Sequence, residues 1–392
     1  MTTQTQSARS VWREPGMPAL LAMIVSGFTG YALLFPVAPL WAARGGADEF
    51  GVGLVTGIFM LCTVLAQLAV PRLLRRWGWK RVLIAGLVFL GLPAPLHLLS
   101  DGLVPILAIA ALRGVGFAIL TVCGSSAVAE LIEPARRGRA IGAFGLGIAG
   151  PQVLVLPLAP WIAETFGFAA VFVAAAVPLA GVVAAARLGA RLEAIPPHPV
   201  PAHAHRGLRR FVGLVPPVLL LLGVTLAGGA LITFVPQLTA NAATTTLALL
   251  ALTGLAALTR WGIGHVADRV GMRRLLWPFV LTTVGGLGLA AFAAAEPGRD
   301  GALAAGMALV GIGYGALQNL TMGAAFAAVA PRDQVVASAA WNIGFDAGTG
   351  LGAVVVGALA AAFAFPAALL AAAAFALLTL PCAFLLSRPP AA

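Results

Sequence analysis

Apolar residues run in blocks about twenty long, each closed by a short turn of charged, Pro or Gly residues, from one end of the chain to the other. A helix rises about 1.5 Å per residue, so a block of about 20 covers the roughly 30 Å hydrocarbon core of a bilayer. The pattern predicts helices over residues 17–40, 51–70, 82–100, 103–129, 138–161, 168–187, 211–237, 246–267, 275–295, 301–328, 335–361 and 364–386. The blocks lack the two-residue alternation of an outer-membrane barrel. The first runs past Leu33 to Leu40, longer than the core of a cleavable signal, which predicts that this helix stays in the mature protein. The expected fold class is an all-α integral membrane protein with twelve transmembrane helices.

Composition agrees. Of 392 residues, 60% are hydrophobic and 9% charged, which excludes a water-soluble domain. The 47 Gly and 27 Pro fit membrane helices, which tolerate both. A net charge of +11 raises the question of nucleic acid. The basic residues sit in short turns between apolar blocks, with no basic stripe on a soluble module, so no nucleic-acid partner is expected. With the N-terminus in the cytoplasm, the inner turns collect Arg9, Arg13, Arg72, Arg75, Arg76, Lys80, Arg81, Arg136, Arg137, Arg139, Arg187, Arg191, Arg206, Arg209, Arg210, Arg269, Arg273, Arg274, Arg332 and Arg388. Only Arg44 and Arg299 fall outside, and Arg113 and Arg260 fall within helices. This asymmetry predicts an inner, cytoplasmic membrane with both termini in the cytoplasm.

The longest polar interruption, 187–210, divides six helices from six: an N-terminal bundle over 1–186 and a C-terminal bundle over 211–392. Its His198, His203 and His205 have no accompanying carboxylate or thiol and read as a solvated linker. Cys62, Cys123 and Cys382 lie inside apolar segments and read as packing residues. Neither a metal nor another cofactor is expected.

After the eighth helix the chain reads Gly264-His-Val-Ala-Asp268-Arg269-Val-Gly271-Met-Arg273-Arg274; after the second it reads Pro71-Arg-Leu-Leu-Arg75-Arg76-Trp-Gly78-Trp-Lys80-Arg81. The two match in register. Glycine permits a tight turn and the basic residues hold it at an anionic leaflet. This duplicated turn resembles the loop signature of the major facilitator superfamily, between helices 2 and 3 and again between 8 and 9. The second copy is nearly complete; the first has Pro71 for the first Gly and Arg75 for the Asp. The resemblance implies two six-helix bundles, complete in one chain, around a midplane site that opens alternately to either side. Arg75, Arg76, Gly78, Gly264, Asp268, Arg269, Gly271 and Arg273 then form the gating loops. With Arg75 at the Asp position, Asp333 in the turn before helix 11 is the expected partner of Arg75 or Arg76. Arg113-Gly114-Val-Gly116 and Gly147-Ile-Ala-Gly150-Pro151 are similar to motifs of helices 4 and 5 in proton-coupled exporters of this superfamily.

A charge at membrane depth costs at least about 2.5 kcal/mol, so it marks a candidate site. Asp346 is the sole carboxylate at midplane depth, and its proton affinity there depends on desolvation and on any nearby cation. It is the candidate proton carrier or substrate counter-ion; an ion pair with Arg113 or Arg260 is the structural alternative. Arg113 is the candidate for substrate or gating work, and Arg260 either joins it or reaches the inner interface beside Trp261. Two such cations against one carboxylate favour an anionic or zwitterionic substrate. Gln67, Gln152, Thr225, Gln237, Gln318, Asn319 and Asn342 are cavity candidates that can equally tie helix to helix. His97 and His265 read as interfacial, and Gly344, Gly348 and Gly352 as a close-packing stripe.

The expected function is secondary active export of a drug or metabolite in exchange for protons, with uptake or facilitated diffusion by the same fold as the alternative. The expected partners are the bilayer, a small substrate and protons. No nucleophile–base pair, metal cluster or phosphate-binding Gly-Lys loop appears, which argues against an enzyme or an ATP-driven pump.

Overall fold

The computed structural model describes residues 14–133, 137–195, 208–330 and 333–387, and these are helical with no strand among them. The helices are α1 (Met17–Arg44), α2 (Glu49–Gly91), α3 (Leu103–Leu131), α4 (Arg137–Leu154), α5 (Ala159–Phe166), α6 (Phe168–Ala174), α7 (Val182–Glu193), α8 (Val215–Leu238), α9 (Ala242–Val270), α10 (Met272–Ala294), α11 (Asp300–Ala327), α12 (Gln334–Phe363), α13 (Phe365–Leu378) and α14 (Leu380–Ser387).

Ten helical stretches among the described residues are long and apolar enough to cross a membrane, or eleven with the bent pair at Ala140–Leu154 and Ala159–Phe166. One of them, Glu49–Leu99, is 51 residues long, about 77 Å at the helical rise and far more than one ~30 Å crossing needs. Its backbone leaves the helical region at Gly78 (φ 76°, ψ 170°), so it is two spans, which brings the total to twelve.

The first duplicated turn is therefore narrower than its sequence suggests. Pro71 stays inside α2, and one glycine makes the reversal. Gly271 occupies the matching place between α9 and α10 with φ 93°, a conformation that L side chains rarely adopt.

Other spans are broken where the sequence reads as continuous. The predicted helix over 138–161 bends by 42° between α4 and α5. The predicted helix over 168–187 is α6, a 3-10 segment (Val177–Gly181) and α7, which runs on to Glu193 inside the expected linker. The predicted helix over 82–100 ends at Gly91, followed by a 3-10 segment, Ala94–Leu99. His198, His203, His205 and Arg206 lie outside the described residues.

Helix α12 is the keel of the molecule. On one face the glycine stripe meets α8: Gly344 faces Val218, Gly348 faces Thr225 and Leu222, and Gly352 faces Leu226, so added methyl groups would collide. On another face Gly350 lies against Met60, Ala353 against Gly53 and Gly357 against Glu49, all on α2 of the other half. Lipid tails are as apolar as the helices, so close approach through small residues, rather than water exclusion, holds these surfaces together. The α2–α12 seam runs from the end opposite the termini, here the far end, down to Gln67 and Asp346. Thr56 of α2 and Thr233 of α8 add a hydrogen bond of 3.0 Å between the halves beside it.

Candidate functional site

Asp346 lies about 18 Å along α12 from Gln334, at the middle of the span and 5% exposed. Its partner is neither arginine. Gln67 of α2, itself buried, donates from Nε2 to Asp346 Oδ2 at 2.7 Å, bridging the two halves at the bottom of their seam. The other amide atom, Gln67 Oε1, is buried and has no hydrogen-bond partner. A buried orphan acceptor is unusual, because its lost hydration is not repaid.

Two residues that the sequence reading passed over complete this locus. Tyr31 of α1 and Tyr314 of α11 both lie within electrostatic reach of Asp346, and Tyr314 also reaches Thr349. Tyr31 stacks on Phe117 at 4.4 Å inside a cluster with Phe28, Phe35 and Phe59. Tyr314 packs edge-on against Phe345 at 6.0 Å. The signal was available: these are the two tyrosines of the whole chain, each set within an apolar helix.

Arg113 is 3% exposed. Its Nε donates to Leu90 O at 3.0 Å and its Nη2 to Gly30 O at 2.8 Å, joining α3 to α2 and α1 within one half. No carboxylate pairs with it among the described residues. It lines a cavity of about 30 Å³ with Tyr31, Thr56, Phe59 and His97, room for about one water. His97 is buried against protein in the 3-10 segment at the span's end: its ring stacks on Phe172 and its Nδ1 lies 2.9 Å from Ala94 O.

Arg260 keeps an accessible side chain on α9. It turns inward rather than to the interface beside Trp261. Its Nη1 donates to Gln318 Oε1 at 2.9 Å, and Asn319 Nδ2 donates to Arg260 O at 2.9 Å, so three of the predicted residues form one α9–α11 unit. Tyr314 lies within electrostatic reach of Arg260 and connects this unit to Asp346.

The remaining candidates separate. Asn342 donates to Ser338 O of its own helix, and Thr225 Oγ1 donates to Leu221 O. Gln152 is half-buried on α4. Gln237 stands at the end of α8 rather than at midplane, lining a far-end cavity with Glu296, Arg299 and Asp300. Gly264, Asp268, Arg269 and Gly271 stay together at the α9–α10 turn, with Asp268 and Arg269 exposed; the Arg273 side chain is not among those described. Asp333 is buried at the start of α12 with an interaction of its own, while Arg75 and Arg76 are exposed on α2 and pair with no acid among the described residues. The expected Asp333 latch is therefore not made in this conformation. Instead Glu193 of α7 accepts a hydrogen bond from Lys80 N at 2.9 Å, placing a carboxylate at the helix start beyond Gly78.

Comparison with known proteins fits this architecture. The Major Facilitator Superfamily matches residues 19–296. An uncharacterized MFS-type transporter of Mycobacterium tuberculosis is 32% identical over 209 residues, 51% of this chain and 35% of that protein. A probable 4-methylmuconolactone transporter of Cupriavidus pinatubonensis is 24% identical over 178 residues, 43% of this chain and 42% of that one. The chain spans roughly a third to two fifths of the length of such relatives. Among solved structures, an inward-facing bacterial homolog of the human lysosomal transporter Spinster superposes with a TM-score of 0.74 at 16% identity, covering 97% of this chain and 99% of that one. A peptide transporter in complex with sulfate gives 0.74 at 14% identity over 96% and 95%. By its match across most of the sequence and by its twelve-span fold, the chain belongs to the Major Facilitator Superfamily of transporters.

Proposed function

We propose that this protein exports a small organic molecule, anionic or zwitterionic, across the cytoplasmic membrane in exchange for protons, with Asp346 as the proton carrier. The two bundles, 1–186 and 211–392, rock about the site as a monomer, and both termini face the cytoplasm. The observation that carries this reading is the Gln67–Asp346 hydrogen bond across the halves. An ionised carboxylate accepts from the Gln67 amide N–H and leaves Gln67 Oε1 unsatisfied. A protonated Asp346 satisfies both amide atoms, accepting the N–H on one oxygen and donating its O–H to Oε1. The arrangement described here, closed along the far-end seam, is then the proton-loaded one. Proton release weakens the seam and permits the opposite opening.

Exchange also needs a substrate group in the cleft. Arg260, accessible and within electrostatic reach of Tyr314, suits the anionic part of the cargo. Direction rests on the exporter-like segments around Arg113 and Pro151, and orientation on the basic turns.

The test is flux in sealed vesicles under an imposed pH gradient, with a panel of anionic, zwitterionic and cationic compounds. Wild type should exchange protons for one class, and Asp346→Asn, which mimics the protonated state, should abolish proton movement. Lower pH should also favour the far-end-closed state, read as a wider label-to-label distance at the termini end. Unaltered flux in Asp346→Asn would reject proton coupling through this residue. A uniporter or symporter is the second reading, favoured by one feature: a carboxylate held by a neutral amide is also what a fixed structural bridge would use. Substrate flux without proton flux would select the uniporter.

A further inference from the structure

Helix α7 has two working faces. Ala185, Leu188, Gly189 and Leu192 are buried, and Gly189 sits directly against the Lys80 backbone of α2. The other face carries Val183, Ala184, Arg187 and Arg191 and stands over the start of α1. Between the two helices runs a groove of about 640 Å³ walled by Pro18, Ala19, Ala22, Ala180, Val183 and Ala184, with Arg187 and Arg191 at its mouth.

The two arginines are one turn apart, so both reach the same side of the helix. Neither makes an ion pair or a side-chain hydrogen bond among the described residues. Glu14 also lines the mouth but has an interaction of its own. Glu193, two residues beyond Arg191, is committed to Lys80 N at the α2 turn, which sets this mouth at the membrane-surface level of the termini end. From Ala180 to Arg191 the groove is about 16 Å long, roughly the depth of one leaflet. An apolar trough below two guanidinium groups without a partner among the described residues matches an acyl chain below a phosphate.

We propose that the α1–α7 groove is a binding site for one anionic phospholipid of the adjacent leaflet, its chain along Ala22 and Ala184 and its phosphate on Arg187 and Arg191. The site does not depend on the transported substrate or on Asp346. Phosphatidylglycerol is the probe, with phosphatidylcholine of the same chains as the neutral comparison. The protein is purified from vesicles holding equal amounts of both, and retained lipid is counted by native mass spectrometry.

Wild type should keep one phosphatidylglycerol in preference to phosphatidylcholine. Arg187→Gln/Arg191→Gln should lose that preference by roughly ten- to thirtyfold, as expected for two interfacial cations. Ala184→Trp, which fills the trough and leaves the charge intact, should also lose it. Arg72→Ala/Arg81→Ala, an equal charge loss elsewhere at the same end, should keep it. Retention by the double Gln variant, equal loss in the Arg72/Arg81 variant, or displacement by soluble glycerol phosphate as effective as by free phosphatidylglycerol would each overturn the site. Thermal melting of each variant in detergent separates lost lipid from lost fold.

Discussion

The two halves of this protein each hold a cation at membrane depth and treat it in opposite ways. In the N-terminal half Arg113 is sealed, its guanidinium spent on the main-chain carbonyls of Leu90 and Gly30. In the C-terminal half Arg260 is accessible and donates to a side chain, Gln318, rather than to the backbone. A cation at membrane depth can thus serve as cement or as a receptor. What decides between them is whether its acceptors belong to the backbone, which cannot leave, or to a side chain, which can.

The duplicated turns sharpen the contrast. Aligned on them, Gln67 stands four residues before Pro71, as Arg260 stands four before Gly264. One register has therefore acquired two tasks. On α2 it reaches across the seam to Asp346; on α9 it reaches within its own half. The backbone of the repeat is retained in the glycines at 78 and 271, whereas the side-chain chemistry has diverged.

The largest expected effect breaks the comparison of cations. Arg113→Met removes two buried charge-assisted hydrogen bonds, worth about 1.5–3 kcal/mol each, so stability should fall by roughly 3 kcal/mol, read as a drop in melting temperature or loss of folded protein. Arg260→Met, at an accessible side chain, should cost under about 1 kcal/mol. Equal losses would show that both cations are structural. Transport should respond the other way: Arg260→Gln is expected to raise the half-saturating substrate concentration about tenfold or more, the value of one charge-assisted contact. Arg113→Lys, in whatever protein folds, should leave that concentration nearly unchanged.

The turns offer a smaller contrast. Glu193→Ala removes the carboxylate at the start of the helix after Gly78 and should cost about 1 kcal/mol, in the range of a lost helix cap. Asp268→Ala, exposed at the matching turn, should cost less than about 0.5 kcal/mol. Smallest is a gain. Gly167 and Ala364 open the final spans of the two halves with the same backbone, φ 89° and ψ 151° against φ 79° and ψ 161°. That region suits glycine, so Ala364→Gly should raise stability by roughly 1 kcal/mol and Gly167→Ala should lower it by about as much. Differential scanning fluorimetry on the two variants checks both signs.

The sequence by itself determined the twelve spans, the six-and-six division, the duplicated turn and the identity of the deep charges. Each follows from an energy that is local to a segment: transfer of a side chain into hydrocarbon, or a φ that only glycine takes easily. Single-letter order was sufficient there because neighbours in space hardly alter the cost. Tertiary structure decided the partners. Asp346 had two arginines to choose from and is held by Gln67; Asp333 was the expected latch and Glu193 carries the carboxylate at the first turn. Tyr31 and Tyr314 gain a bearing on Asp346 only when α1, α11 and α12 converge. Such choices turn on ångström distances between helices far apart in sequence, set by where small residues let backbones meet, and no periodicity along one helix encodes them.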